Sequence, residues 1–564
     1  MRRTVILLLI ATGIMHAQSW DALVDSYFDE AVFPFSPSNA VQEGFHAYDS
    51  QLEDFSQAAI QKEVAAARRF ETRFTAFPAT QLTAEQQADR DMVLSNIHAT
   101  LLEMESIRMW EKDPDQYAST ASGAAFVIMS RTFAPADVRL RALIAREKLM
   151  PKLFADGKAN LKNPPKIYTE VAIQQVPDII TFFQNDVPLA FKDVKDAALL
   201  NEFHQANAAV IQELQSWLVW LKQDLLARSK GDYKLGADNY RKKLLYDEMV
   251  DIPLDKLLEI GYADLRKNQE AFLDTAKKID PKKTPQQILN EAEKDHPPAD
   301  KMLQAFRDTL SGLREYIVQH HLMTIPSPVM PIVEETPPFM RALTSASMDT
   351  PGPYEKVAKE AFFNVTLPEK TWSAAQTEDY LRSFNRGTIA STAIHEAFPG
   401  HYVQFLWMPT APSKVRKLIS ANTYVEGWAH YCEQMMIDEG YGGGDLKLRL
   451  GQLQDALLRD ARFVVGIKLH TGQMTFEQGV DFFVKEGFQT KTTGERETKR
   501  GTSDATYLYY TLGKLEIMKL REDYKKLRGS AYTIEEFHNS FLSQGMPPIQ
   551  IVRRKMLGND SPVL

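Results

Sequence analysis

The stretch TAIHEAFPGH, residues 392–401, decides how this part of the chain must fold. His395 and His401 stand six positions apart. On a straight helix they would be rotated by about 240° and displaced by about 9 Å along the axis. Pro399 removes an amide donor and clashes with a carbonyl of the preceding turn, while Gly400 accepts a wide range of backbone angles. We therefore predict a helix that is interrupted at this Pro-Gly pair, so that both imidazoles reach one point.

A second stretch, YVEGW at residues 424–428, brings Glu426 into a helical pattern that runs to Ile437. Two imidazoles and a carboxylate are typical of a catalytic zinc site that keeps one position open for water. The apolar run before His395 would bury the His-Glu pair, and burying a charge without a partner is costly. The alternative interpretation is a set of hydrogen-bonded polar groups in the core without a metal.

These motifs resemble a widespread bacterial family catalogued as domain of unknown function eight-eight-five, a zincin-like relative of the helical oligopeptidases. The resemblance covers the chain after residue 20, in the N-terminal half only through its helical character. One departure is Ala505, where the pattern has Pro after Asp504. Downstream, the likeness extends to Arg462, Leu469-His470, Glu497-x-x-Arg500, Tyr510-Thr511-Leu512-Gly513, and Phe537-His538 with Gly545.

The resemblance implies Zn²⁺ bound by His395, His401 and Glu426, with Glu396 as the general base. It also implies a mainly α, large helical zincin-like metallopeptidase fold with a small β element near the active site. For the substrate it implies only a peptide or a similar amide. We expect a zinc metallopeptidase, an oligopeptidase or exopeptidase acting on short peptides. The alternatives are a zinc hydrolase of a non-peptide amide and an inactive peptide-binding protein, against which the intact Glu396 argues.

Composition and the N-terminus indicate the cellular setting. The chain has 564 residues, is 44% hydrophobic and carries a net charge of −8, which argues against nucleic acid or an anionic membrane as partner. Residues 1–17 have the charged, apolar and small-residue regions of a secretory signal peptide. The only cysteine is Cys432, so no lipid anchor is expected at the cleavage point. We predict a periplasmic or secreted protein and make no prediction of its oligomeric state.

Helical periodicity predicts the domain organisation. Residues 18–323 form an N-terminal helical scaffold, and residues 354–564 form the catalytic zinc-binding half of one continuous structural unit. Residues 324–353 between them carry too many prolines for a helix and are expected to be a long surface connection. The β-prone run 361–366 is predicted to be a strand. We weigh two positions for it, an edge to which a peptide substrate adds and an ordinary buried strand.

Three residues after the ligands are candidates for stabilising the charge on the reacting carbonyl oxygen: Tyr510, His470 and Arg500. Tyr510 is preferred because it lies in an aromatic cluster followed by a glycine, and the alternative is simple packing. Arg462 or Arg500 is a candidate for binding the terminal carboxylate of a peptide, with a solvated arginine as the alternative.

Four further side chains are given mainly structural roles. Glu433 and His430 share a face with Glu426, so one of them is expected to orient a ligand, with a surface ion pair as the alternative. His538 is expected to be a structural hydrogen-bonding group, and Cys432 a small apolar residue packed in the core.

Overall fold

The computed structural model describes residues 19–337, residue 341 and residues 344–564. The predicted signal peptide, residues 1–17, lies outside the described residues. Helices dominate the described chain, as the periodicity predicted. The first group comprises α1 (Trp20–Tyr27), α2 (Pro37–Gln42), α3 (Gln57–Ala76), α4 (Ala84–Leu102), α5 (Met109–Lys112), α6 (Asp115–Met129), α7 (Ala136–Glu147), α8 (Met150–Asn160), α9 (Lys166–Ala190), α10 (Ala197–Trp220), α11 (Leu226–Arg228), α12 (Gly236–Glu248), α13 (Leu254–Ile279), α14 (Pro285–Ala292) and α15 (Met302–Gln319).

Three short strands and a second group of helices follow. The strands are β1 (Ile332–Glu335), β2 (Ala346–Asp349) and β3 (Phe362–Val365). The second group comprises α16 (Ala374–Arg382), α17 (Arg386–Glu396), α18 (His401–Trp407), α19 (Lys414–Leu418), α20 (Asn422–Asp438), α21 (Leu446–His470), α22 (Phe476–Lys485), α23 (Lys491–Ser503), α24 (Tyr509–Arg528), α25 (Ile534–Leu542) and α26 (Ile549–Leu557). No described helix has the length and apolar character needed to span a bilayer.

The small sheet tests two predictions about residues 324–366. Its strand order is β1-β3-β2, with β1 parallel and β2 antiparallel to β3. The run 361–366 does form a strand, and β3 is central and largely buried, which confirms the ordinary buried strand and excludes the alternative of an edge for a peptide. Residues 324–353 contain both outer strands and are therefore more than a surface connection, because Val333 and Thr336 pack in the interior.

Apolar clusters join helices that are distant in the sequence. Residues of α1, α3 and α4 share a core with Val415 and Ile551 from the C-terminal half. Leu265 of α13 and Ile288 of α14 pack in one cluster with Leu457 of α21. Packing therefore crosses the segment where we predicted a boundary between scaffold and catalytic half, and the boundary itself stays a prediction.

Helices α20 and α24 pack against each other through glycines. A Cβ atom at Gly513 would lie 1.9 Å from the carbonyl oxygen of Thr423, and one at Gly427 would lie 2.6 Å from Gly513. Neither distance leaves room for a side chain, so the two backbones are in direct contact. Because Glu426 adjoins Gly427 and Tyr510 lies one turn before Gly513, this contact brings the two side chains to the same region.

The glycine contact yields a test of the fold. Gly513→Ala is expected to lower the free energy of unfolding by about 1–3 kcal/mol, because the added methyl group must push the helices apart. Urea unfolding followed by circular dichroism measures this change. The matched control is Gly312→Ala in α15, where a Cβ atom would meet nothing within 4 Å. That variant is expected to be as stable as the wild type or more stable. Equal stability of both variants would contradict the packing described.

Candidate metal centre

The turn between α17 and α18 has the interruption that the sequence predicted. Helix α17 ends at Glu396 and α18 begins at His401, so each histidine lies beside the break on its own helix. The amide of Gly400 donates to the carbonyl of Ile394 at 2.9 Å. A Cβ atom at Gly400 would lie 1.7 Å from the carbonyl oxygen of His395, so only glycine fits this close backbone approach.

The second motif holds this turn in place. The indole Nε1 of Trp428 donates to the carbonyl oxygen of Pro399 at 2.9 Å, and Trp428 is fully buried. Helix α20 thereby binds the turn through one side chain, while Glu426, two residues earlier, points to the histidines. The Glu-Gly-Trp stretch therefore combines a candidate ligand, a glycine for close helix packing and an indole that fixes the turn.

His395, His401 and Glu426 converge on one point. Each offers a ligand atom, and these atoms all lie within 4.8 Å of one another. The Oε2 atom of Glu426 is 3.2 Å from Nε2 of His395 and 3.4 Å from Nε2 of His401. The two imidazole rings are nearly perpendicular, with centroids 4.9 Å apart. Two nitrogens and one oxygen directed at one point are a donor set for a metal ion.

The outer ring nitrogens of both histidines already have partners. Nδ1 of His395 lies 2.7 Å from Oε1 of Glu433, and Nδ1 of His401 lies 3.4 Å from Oε1 of Gln404. The orientation of the Gln404 amide follows from its Nε2, which donates to the carbonyl of Tyr424. Nδ1 of His395 also lies 3.3 Å from Nη2 of Arg459, but the carboxylate of Glu433 is nearer, so both Nδ1 atoms are assigned hydrogens. In its neutral form each imidazole therefore directs the lone pair of Nε2 inward.

Electrostatics favours positive charge where these ligand atoms meet. Oε2 of Glu426 is buried and receives no hydrogen bond from the described residues. Burial disfavours the charged forms, but His401 and His395 hold the pKa of Glu426 well below its usual range. Burial likewise lowers the pKa of His395, whereas Glu426 and Glu433 together raise it to about 9. A proton on Nε2 meets this demand for positive charge, and a metal cation at the same point would replace it.

The carboxylate of Glu433 contacts three side chains, one of which is the candidate ligand His395. Besides His395, it binds Nδ1 of His430 at 3.1 Å and Nη2 of Arg459 at 2.9 Å. The side chains of Glu433 and His430 are fully buried, so the alternative of a surface ion pair is wrong. Although burial opposes its ionisation, Arg459 and His430 hold the pKa of Glu433 well below its usual range. The carboxylate therefore stays charged and orients the imidazole of His395.

Glu396 lies beside the ligands without a partner of its own. It is half-buried at the end of α17, and no described residue forms a hydrogen bond or an ion pair with its carboxylate. Burial raises its pKa, while the neighbouring His395 and His401 oppose the rise. Its carboxylate is therefore free to accept a proton, and with a better proton affinity than an exposed glutamate.

The ring of Tyr510 lies next to that of His395. The two rings are roughly parallel, with centroids 6.2 Å apart, and Nη2 of Arg500 donates to the Tyr510 hydroxyl at 3.2 Å. Burial and the charge of Glu426 raise the pKa of Tyr510, so the phenol keeps its proton. Because the oxygen accepts a hydrogen bond from Arg500, its own hydrogen is available to another acceptor. Arg462 faces the same ring and binds Glu497 at 2.7 Å.

His470 has a different environment. Its Nε2 lies 2.7 Å from the carbonyl oxygen of Gly501, and its ring packs against Tyr233 and Tyr240. Burial lowers its pKa to about 4, so the ring is neutral near pH 7. Arg459, the residue of α21 that contacts His395, lies three turns before His470, roughly 16 Å along the axis. The structure therefore brings Tyr510 and Arg500 to the candidate centre, but not His470.

The predicted structural residues lie where expected. His538 is fully buried, with Nδ1 2.8 Å from the carbonyl of Leu322 and Nε2 2.9 Å from the hydroxyl of Tyr431. Cys432 is fully buried in the apolar cluster of the C-terminal half, and burial raises the pKa of its thiol. Neither side chain takes part in the candidate centre.

Sequence reasoning missed three residues that support the centre. Arg459 links Glu433 to the Tyr510 ring, Gln404 binds His401, and Glu248 caps α20 by accepting the amides of Asn422 and Thr423. Gln404 follows His401 by three positions, a spacing that puts both on one helix face and could have been recognised. Arg459 and Glu248 act on residues far away in the chain, and no local pattern indicates them.

Comparisons with known proteins cover most of the chain. The family model described as "Bacterial protein of unknown function (DUF885)" matches residues 37–556. None of the curated proteins matches this chain.

Solved structures share the fold. A protein from Shewanella oneidensis, described as a "putative lipoprotein of unknown function", is 26% identical with a TM-score of 0.79, covering 96% of this chain and 100% of its own. A "putative lipoprotein" from Colwellia psychrerythraea has a TM-score of 0.79 at 17% identity, covering 95% of this chain and 98% of its own. At that identity the second likeness is one of fold alone. The fold is thus shared along nearly the full length of three proteins.

Proposed function

The chain belongs to the DUF885 family of bacterial proteins of unknown function, and we propose that this protein is a zinc-dependent hydrolase of peptide bonds. One observation carries the proposal. The inward-facing Nε2 atoms of His395 and His401 meet Oε2 of Glu426, and the free carboxylate of Glu396 stands beside them. This arrangement combines a metal-binding donor set with a group that accepts protons.

The donor set fits zinc better than the hard cations. Mg²⁺ and Ca²⁺ prefer oxygen ligands, whereas His395 and His401 offer nitrogen and Glu426 offers oxygen, the combination that three-ligand zinc sites use. When bound, zinc supplies Lewis acidity, which lowers the pKa of water and polarises a carbonyl group. Glu433 and Gln404 hold the two imidazoles in the tautomer that such binding requires.

Glu396 takes the role of the general base. Its carboxylate accepts a proton from water as the oxygen forms a bond to the carbonyl carbon of the substrate. The same proton is then passed to the amide nitrogen, so that the C–N bond breaks and a neutral amine leaves. The raised pKa of Glu396 helps both transfers, because a carboxylate with higher proton affinity accepts and holds the proton more readily.

Tyr510 takes the role of a hydrogen-bond donor to the carbonyl oxygen of the substrate. The phenol keeps its proton, and Arg500 occupies a lone pair of the hydroxyl oxygen without taking that hydrogen. A donor held in this way stabilises negative charge on the oxygen as the carbonyl carbon becomes tetrahedral. Arg500 thus positions Tyr510 by fixing its hydroxyl.

The first test separates metal binding from catalysis. Glu396→Gln is expected to keep about one equivalent of zinc and to lose turnover by roughly 10²-fold or more, because an amide cannot accept the proton. His401→Ala is expected to lose both zinc and turnover. Elemental analysis beside mass-spectrometric detection of products from a mixed peptide library measures the two properties. Glu477→Gln, an exposed glutamate of α22, is the control. Normal turnover in the Glu396→Gln variant would exclude this base.

The second test concerns Tyr510. Tyr510→Phe removes one hydroxyl, so kcat is expected to fall roughly 10²-fold with little change in KM. Tyr532→Phe is the matched control, because the Tyr532 hydroxyl also accepts from an arginine, Arg521, at 3.1 Å, but packs outside the candidate centre. Steady-state kinetics on one cleaved peptide compares the two variants. Unchanged kcat in Tyr510→Phe would exclude the phenol as the donor.

We also propose that the protein is exported. Both structural relatives are described as a "putative lipoprotein", and residues 1–17 carry the pattern of a secretory signal. Protein recovered from its native host is expected to begin near Gln18, which mass spectrometry of the N-terminal peptide measures. Recovery from the cytosol with Met1 intact would exclude export.

A further inference from the structure

Three guanidinium groups surround the ring of Tyr510. The Cζ atoms of Arg459, Arg462 and Arg500 lie 5.6, 4.9 and 5.8 Å from the ring centroid. The chain thus concentrates positive charge next to the phenol that flanks His395. Arginines clustered in this way either neutralise buried carboxylates or bind an anionic ligand.

Two of the three arginines form ion pairs with buried carboxylates. Arg459 binds Glu433, and Arg462 binds Glu497 through Nε at 2.7 Å. Their side chains are only 11% and 8% exposed. Their charge is therefore compensated inside the protein, and neither presents an open face to a substrate. Arg500 differs, because its side chain is 39% exposed.

Hydrogen bonds hold the guanidinium group of Arg500 in a defined orientation. Nε and Nη2 donate to Oδ2 of Asp504 at 3.2 and 2.9 Å, and Nη2 also donates to the Tyr510 hydroxyl. Asp504 is in turn held by the hydroxyl of Tyr509 at 2.8 Å. Nη1, the remaining nitrogen, donates to no described residue. Two N–H groups are thus presented by a side chain that is already ordered, which lowers the entropic cost of binding an anion.

We propose that Nη1 of Arg500 binds the free C-terminal carboxylate of a peptide, so that the protein removes residues from the C-terminal end of its substrates. The inference rests on the proposed function and names its substrate class. A guanidinium and a carboxylate form a charge-assisted hydrogen bond that an uncharged terminal amide forms only weakly. The sequence offered both Arg462 and Arg500 for this role, and the pairing of Arg462 with buried Glu497 favours Arg500.

The position of Arg500 sets the length of the released product. Its Nη2 is 3.2 Å from the Tyr510 hydroxyl, and the rings of Tyr510 and His395 are 6.2 Å apart. One peptide residue spans roughly 3.3–3.6 Å. A carboxylate at Arg500 therefore leaves room for only a short segment before the scissile carbonyl reaches the candidate centre. We therefore expect a released product of one or two residues.

The experiment compares peptides that differ only at the C-terminus. The zinc-loaded protein is incubated with one peptide sequence as the free acid and as the amide, and kcat/KM is measured for each by mass spectrometry. The free acid is expected to be cleaved roughly tenfold or more faster. Its released fragment is expected to be a single residue or a dipeptide from the C-terminus.

Variants of Arg500 separate carboxylate binding from support of Tyr510. Arg500→Gln is expected to bring the free-acid to amide ratio of kcat/KM close to one, and Arg500→Lys to restore part of the preference through its charge. Loss of the contact to Tyr510 would slow both peptides equally and leave the ratio unchanged. Arg496→Gln is the matched control, because Arg496 is an exposed arginine one turn earlier on α23, and it is expected to keep the wild-type ratio. Thermal unfolding checks that each variant is folded.

The outcomes distinguish this inference from the proposed function. Equal cleavage of the two peptides, release of longer internal fragments, or an unchanged ratio in Arg500→Gln would overturn the carboxylate site while leaving peptide hydrolysis intact. If neither peptide is cleaved by the zinc-loaded protein, calorimetric titration of each peptide into the Glu396→Gln variant measures binding without hydrolysis. Tighter binding of the free acid, lost in a double variant with Arg500→Gln, would support the site without hydrolysis. Absence of binding by either peptide would overturn both proposals.

Discussion

The hydrogen bond between the Glu433 carboxylate and Nδ1 of His395 is the interaction on which the candidate centre depends. It assigns the imidazole tautomer and directs Nε2 inward, towards Oε2 of Glu426 at 3.2 Å. A carboxylate buried this deeply needs compensation, which Arg459 and His430 supply. Arg459 also contacts the ring of Tyr510. One buried charge thus orders groups from α20 and α21 around the His395 side chain of α17.

Close backbone contacts hold these helices at the distances that the hydrogen bonds require. Gly400 allows the chain to turn directly over the carbonyl of His395, and Gly427 with Gly513 allows α20 to touch α24. Any side chain at these positions would separate elements whose ligand atoms lie within 4.8 Å of one another. Glycines in helices reduce stability, and here the loss is offset by contacts that no larger residue permits. The position of the site therefore depends on packing as much as on its ligands.

The charges around the site divide into compensated and available groups. Arg459 and Arg462 are paired with buried glutamates, and Glu433 and Glu497 keep depressed pKa values for that reason. Glu396 and Nη1 of Arg500 remain without hydrogen-bond partners among the described residues. The proposed hydrolysis rests on the carboxylate of Glu396, a free proton acceptor beside the candidate metal ligands. The proposed binding of a peptide C-terminus rests on Nη1 of Arg500, a free donor beside Tyr510. Buried pairing thus identifies Arg459 and Arg462 as structural, whereas the exposed Arg500, although paired with Asp504, keeps Nη1 open to a ligand.

The sequence alone determined the features that depend on local spacing. The helical class follows from periodicity, and the break at Pro399-Gly400 follows because two histidines six positions apart cannot share a point on a straight helix. The candidate ligands were also predicted, since their motifs are compact. Tertiary structure decided the order of the sheet, the pairing of Glu433 with Arg459, and the difference between Arg462 and Arg500. These depend on contacts between residues far apart in the chain, where burial and the nearest opposite charge, rather than residue type, determine what a side chain can do.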